Sequence, residues 1–142
     1  MYTNSTFLPY TADTLAYLPT LIPHQRFNSI RTLRFRWRLF GPPSTFPPDP
    51  RSTLDDKYQK NRMSYLERWQ IIWKTVSEMQ GLRYLTIELR VDNLMAESWE
   101  VEELDIVKTI TGPEEVVIVL WGVLYEKMVG RIGGPNCRVV EV

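Results

Sequence analysis

One cysteine, one histidine and a net charge of zero are the scarcities that frame this sequence of 142 residues. With Cys137 alone, no disulfide can close within the chain, which fits a reducing compartment, cytoplasmic or nuclear. With His24 alone, a metal site would need cysteine or carboxylate partners at ligand spacing, and none stands near it in sequence. A zero net charge removes the global field that draws basic proteins to nucleic acid or anionic membrane. No stretch approaches the ~18–20 apolar residues of a membrane span, and the first residues lack the basic start and apolar run of a secretory leader. Gly130-Arg131-Ile132-Gly133-Gly134 lacks the lysine and hydroxyl of a phosphate-cradling loop, and no G-x-G-x-x-G occurs. The expectation is a chain with no cofactor, no metal and no membrane segment.

What the sequence does contain is a pattern written twice. Ile30-Arg31-Thr32-Leu33-Arg34-Phe35-Arg36-Trp37-Arg38-Leu39 aligns with Leu82-Arg83-Tyr84-Leu85-Thr86-Ile87-Glu88-Leu89-Arg90-Val91. Both alternate apolar and polar residues, the period of a strand with one face buried and one face in water. Between them Leu66, Trp69, Ile72, Trp73, Val76 and Met79 recur at helical spacing. Ser64 and Glu67 stand in the relation of a capping box, and Gly81 is read as a left-handed stop.

Elsewhere the reading is coarser. Ser5–Leu8 is a short strand, and Thr14–Leu21 a short helix limited by Pro19 and Pro23. Residues 40–63 form a loop in which Pro42, Pro43, Pro47, Pro48 and Pro50 favour extended backbone. A second helix begins at a Ser98 cap, carries Glu100, Glu102 and Glu103 in its first turn, and buries Val101, Leu104, Val107 and Ile110. Val116–Trp121 is a continuous apolar run, read as a strand covered on both faces. Gly133-Gly134-Pro135 is a turn before a last strand over Cys137–Val142.

Strands joined through helices are parallel, with crossovers of one hand. Doubly covered parallel strands read apolar throughout, and the two copies do not. The fold expected is therefore α/β: a single domain over residues 1–142, with a short, mainly parallel sheet and helices on one face, like irregular leucine-rich repeats. If the copies pair in the register of their alignment, Arg36 lies beside Glu88.

Leu18-Pro19, Ile22-Pro23, Gln25-Arg26-Phe27, the first copy, Trp69-x-x-Ile72-Trp73 and Met79-x-Gly81-Leu82-Arg83-x-Leu85 together resemble an uncharacterised domain family of filamentous fungi. Asn4, Thr6 and Phe7 resemble its opening, with Ser5 as an extra residue. The resemblance implies a leucine-rich-repeat-like fold and a fungal origin, and carries no activity or catalytic residue. Members often have an F-box-like segment upstream, so a chain truncated at the N-terminus is the expectation here.

The charge is unevenly placed. Residues 1–91 hold 13 Lys/Arg against 7 Asp/Glu, and residues 92–142 hold 4 against 10, giving +6 and −6. The strand alternation puts Arg34, Arg36 and Arg38 with Glu88 and Arg90 on the open sheet face, a surface for an acidic protein partner. It sends Phe35 and Trp37 to the opposite face, where they cannot stack bases, which weakens the alternative of nucleic-acid binding through the arginines. The remaining alternative is an enzyme, for which His24 and Cys137 would have to meet as base and nucleophile. Trp69 and Trp73, four apart, are read as core; the carboxylates at 100–105 lack the spacing of a calcium loop.

Overall fold

The computed structural model describes residues 6–7, 12–39 and 65–142. The proline-rich loop and the Ser64 cap lie outside them. The chain forms β1 (Thr6–Phe7), α1 (Ala12–Leu21), α2 (His24–Ser29), β2 (Thr32–Leu39), α3 (Tyr65–Ser77), β3 (Tyr84–Val91), α4 (Asn93–Ala96), a 3-10 helix (Val101–Thr109), β4 (Glu115–Leu120), α5 (Gly122–Met128) and β5 (Cys137–Glu141). The strands make one parallel sheet in the order β1-β2-β3-β4-β5. Spatial order follows chain order, so every crossover steps the same way. Crossovers of one hand then place the described connecting helices on the same side of the sheet.

The two copies pair in register, Leu33 with Leu85, Phe35 with Ile87, Trp37 with Leu89 and Arg36 with Glu88. Burial alternates strictly along both strands. The inward side chains join Leu15, Leu18 and Phe27 from the first two helices, and Ile72, Trp73 and Val76 from α3, in one core. Trp69 bridges that core sideways, its ring 4.9 Å from Trp37 and 5.5 Å from both Trp73 and Trp99. Aromatic pairs at this spacing add about 0.5–1.5 kcal/mol each beyond area burial. The Trp73 indole N–H is buried without an acceptor among the described residues, so Trp73 is held there for its volume. The tryptophan pair of α3 is core, as its spacing indicates.

Several local readings change. Gly81 is not among the glycines with positive φ. It is small because a Cβ there would collide with the Asn28 carbonyl and the Arg31 guanidinium, which donates to the Gly81 carbonyl at 2.9 Å. Helix α1 begins earlier than Thr14 and runs through Pro19. Pro19 falls in the last turn, where only one intrahelical donor is lost.

The segment after Ser98 is a 3-10 helix starting at Val101, and the Ser98 hydroxyl donates backward to Met95 O at 2.6 Å instead of capping it. Its apolar residues Val101, Leu104, Val107 and Ile110 repeat every third position, the 3-10 period, and the last three are buried. β4 is covered on one face only: Val116, Ile118 and Leu120 are buried, while Val117 and Val119 remain half-buried on the other side. Helices α2, α4 and α5 were not anticipated. Each is short, and α5 shows only Leu124 and Met128 as buried anchors.

Candidate functional site: the open sheet face

Alternation places Arg34, Arg36 and Arg38 on the solvent side of β2, all exposed. The register sets Thr86 beside Arg34, Glu88 beside Arg36 and Arg90 beside Arg38. Further across lie Glu115, Val117 and Val119 on β4, then Arg138 and Val140 on β5. The described strands thus offer five arginines against two glutamates on this face, with half-buried valines toward β4 and β5. All five residues assigned to the site from sequence stand together here.

Glu88 organises the centre. Arg36 donates through Nε to Glu88 Oε2 at 2.6 Å. On the other oxygen, Oε1, the Trp121 indole N–H donates at 3.0 Å, and Arg90 Nε approaches to 3.7 Å. The Glu88 side chain is only 17% exposed, against 63% for Arg36, so the carboxylate is the fixed part and the guanidiniums are the reachable part. Arg90 Cζ lies 4.8 Å from the centre of the Trp121 ring. This stack and the shared carboxylate hold Arg90 beside Arg38 despite their like charge. Both Arg36 and Arg90 meet Glu88 through Nε, which leaves their terminal nitrogen pairs unengaged by described residues. No described residue pairs with Arg34 or Arg38. At the far side Arg138 donates to Glu115 Oε1 at 2.8 Å.

At the carboxyl ends of β2, β3 and β4 the face runs into a cleft of about 570 Å³, bounded by Arg38, Arg90, Asp92 and Trp121 with Leu39, Val91 and Met95. The Asp92 carboxylate accepts from Leu94 N at 3.2 Å as the cap of α4. Sequence reasoning missed Trp121, which it assigned to a strand. Trp121 is the residue between β4 and α5, where the chain turns.

His24 and Cys137 do not meet. His24 opens α2, accepts through Nε2 from Asn28 Nδ2 at 3.0 Å, and borders a cleft shared with Pro19, Phe27 and Glu78. Cys137 lies on β5, three strands from β2, about 14 Å at the usual strand spacing. Burial pushes its thiol above the ordinary cysteine range, which lowers its thiolate content. Its Sγ packs against Gly133, whose φ of +82° and lack of Cβ allow the approach. The described residues contain no group of three or more His, Cys, Asp or Glu suited to a metal ion. No described helix is long and apolar enough to cross a membrane.

The model of one family, Domain of unknown function (DUF7730), matches residues 1–141, and the chain belongs to that family. No curated protein and no solved structure matches the chain.

Proposed function

We propose that this member of the DUF7730 family is a non-catalytic interaction module that docks an acidic protein segment on its open sheet face. The observation that carries the reading is the uncovered row of Arg34, Arg36 and Arg38, with only Glu88 to neutralise it from the neighbouring strand. Guanidinium forks recognise carboxylates in two-point geometry and are weakly hydrated, so an exposed set of them suits an acidic partner. The sequential parallel order, with crossovers on one side, supports a likeness to a few irregular leucine-rich repeats, which also present a bare sheet face to partners. A cytoplasmic or nuclear setting and a fungal source belong to the same proposal. If longer members join this unit to an F-box-like segment, its role would be that of a substrate receptor in ubiquitin ligation, by analogy of architecture.

A protein partner is favoured over nucleic acid for a structural reason. Phe35 and Trp37 are buried on the opposite face, and Trp121, the aromatic beside the arginines, already carries Arg90 on its ring. Among the described strand residues Tyr84 alone offers an open ring on this face, at the opposite end of β3 from Arg90, so successive bases would lack a run of stacking platforms.

The test is affinity recovery from a nuclease-treated fungal lysate, using the wild-type chain and the triple variant Arg34→Glu, Arg36→Glu, Arg38→Glu. The wild-type chain should retain partners that the variant loses, with an unchanged circular dichroism spectrum. A partner set that survives the triple reversal refutes the reading. Recovery that disappears on nuclease treatment transfers the face to nucleic acid.

A further inference from the structure

We propose that the cleft at the carboxyl ends of β2, β3 and β4 is the specificity pocket of this face. It takes one acidic side chain of a bound protein segment, while its lip takes the large apolar side chain next to it. This presupposes that the partner docks on the open face.

Three observations converge on the cleft. First, its two arginines are available. Arg38 has no described partner, and Arg90 is held by Nε against Glu88 and by its plane against Trp121, so no described residue engages its terminal nitrogens. A guanidinium fixed at its inner edge offers its outer edge as a preset two-point donor for a carboxylate. The acid within the cleft, Asp92, is engaged in capping α4 and does not cancel that charge by pairing with either arginine.

Second, the space is too large for a lone anion. About 570 Å³ is the scale of a site for a whole side chain or more. Part of its wall is apolar, from Leu39, Val91 and Met95.

Third, the rim is apolar where it faces water. Leu94 is 86% exposed and Met95 36% exposed, on the short helix that borders the cleft. Exposed leucine beside methionine offers an adaptable contact for a neighbouring apolar side chain. Charge in the cleft and apolar surface on its lip define the occupant: a segment with Asp or Glu adjacent to Leu, Phe or Trp. The bidentate arginine fork reads the acid, and the lip reads its neighbour.

A random short-peptide library displayed on phage and selected on the whole chain at low ionic strength tests this. Wild type should enrich Asp or Glu adjacent to a large apolar residue. The selected peptide, labelled and measured by fluorescence polarisation, should bind Arg90→Ala about tenfold more weakly, the scale of one lost charge-assisted pair. Leu94→Ser should keep the preference for acid and lose the preference for the apolar neighbour. Lys108→Ala, on the 3-10 helix away from the open face, should leave binding within about twofold. Selection of no acidic–apolar pattern overturns the proposal, as does binding that ignores both Arg90→Ala and Leu94→Ser. Full displacement of the peptide by inorganic phosphate, with no apolar preference, reduces the cleft to a simple anion site and overturns it too. Failure here is distinct from failure of the docking face: lysate partners that depend on Arg34, Arg36 and Arg38 but not on Arg90 or Leu94 leave the face standing and remove the cleft.

Discussion

Strands β2 and β3 carry two surfaces made from alternating residues, and the two could hardly differ more. Inward, Leu33, Phe35, Trp37 and Leu39 meet Leu85, Ile87, Leu89 and Val91, all buried. Outward, Arg34, Arg36 and Arg38 meet Thr86, Glu88 and Arg90, with the arginines exposed. A slip of one residue in either strand would exchange the surfaces, so the apolar set fixes the register that brings the arginines to Glu88. Stability and the proposed recognition thus draw on the same strands but on different side chains. The polar face can change its side chains at little cost to the fold, whereas the apolar face cannot change without loss.

The largest effect that tests this division is on the buried side. Ile87→Ala removes most of a fully buried side chain between Phe35 and Ile118 in register and should cost about 2–5 kcal/mol in urea unfolding. Its neighbour Thr86→Ala, on the other face of the same strand, should stay within about 0.5 kcal/mol. Equal losses at the two positions would break the comparison. Next in size is Gly81→Ala, which drives a methyl into the Asn28 carbonyl and the Arg31 side chain where the loop seals the core. About 1–3 kcal/mol should be lost there, while Gly112→Ala, with open space around it, should be silent by the same measurement.

Most of this division was legible in the sequence. The doubled ten-residue pattern carries strand type, register and facing at once, because a period of two leaves each residue only two choices. The Arg36–Glu88 pair follows from that alignment with no further assumption. The cleft was not legible. Trp121 belongs to a continuous apolar run, and nothing in such a run marks where the strand ends and the side chain turns toward the arginines. Helix α4 is too short for a periodic signal, so Leu94 and Met95 looked like loop. The 3-10 helix did carry a signal, the spacing of three from Val101 to Ile110. It is close enough to helical spacing that it passed for an α-helix. Val117 and Val119 read as buried because valine in a parallel strand usually is; here they form the apolar part of the open face.

On the open face the effects should be smaller in stability and larger in binding. Glu88→Gln keeps an acceptor for the Trp121 indole but removes the charge that holds Arg36 and Arg90. Exposed pairs of this kind contribute about 0.2–1 kcal/mol, so unfolding should shift by no more than that. Partner affinity should nonetheless fall about three- to tenfold as the guanidiniums lose their orientation. Raising the salt concentration should weaken binding by the wild-type chain while leaving the urea midpoint of Ile87→Ala relative to wild type unchanged. Glu88→Gln with unchanged affinity would show that the carboxylate only neutralises the arginines and does not position them.

The smallest effect lies where the buried face reaches its edge. Cys137 continues the inward row of Leu33, Leu85 and Val116, half-buried on the last strand. Burial raises its thiol pKa, so the neutral form is favoured in the fold. The unfolded chain ionises first as pH rises past the ordinary value of about 8.5, which means the thiol's contribution is intact below that pH and is lost as pH climbs toward the folded value. Wild type should therefore lose slightly more stability than Cys137→Ser between neutral and alkaline pH. Alkylation by iodoacetamide at mildly alkaline pH should be slower than for a free cysteine, and His24→Ala should not change the rate, because α2 connects β1 to β2, at the opposite end of the strand order from β5. A rate that falls with His24→Ala would bring the two residues together and reopen the nucleophile–base pairing that the strand order separates.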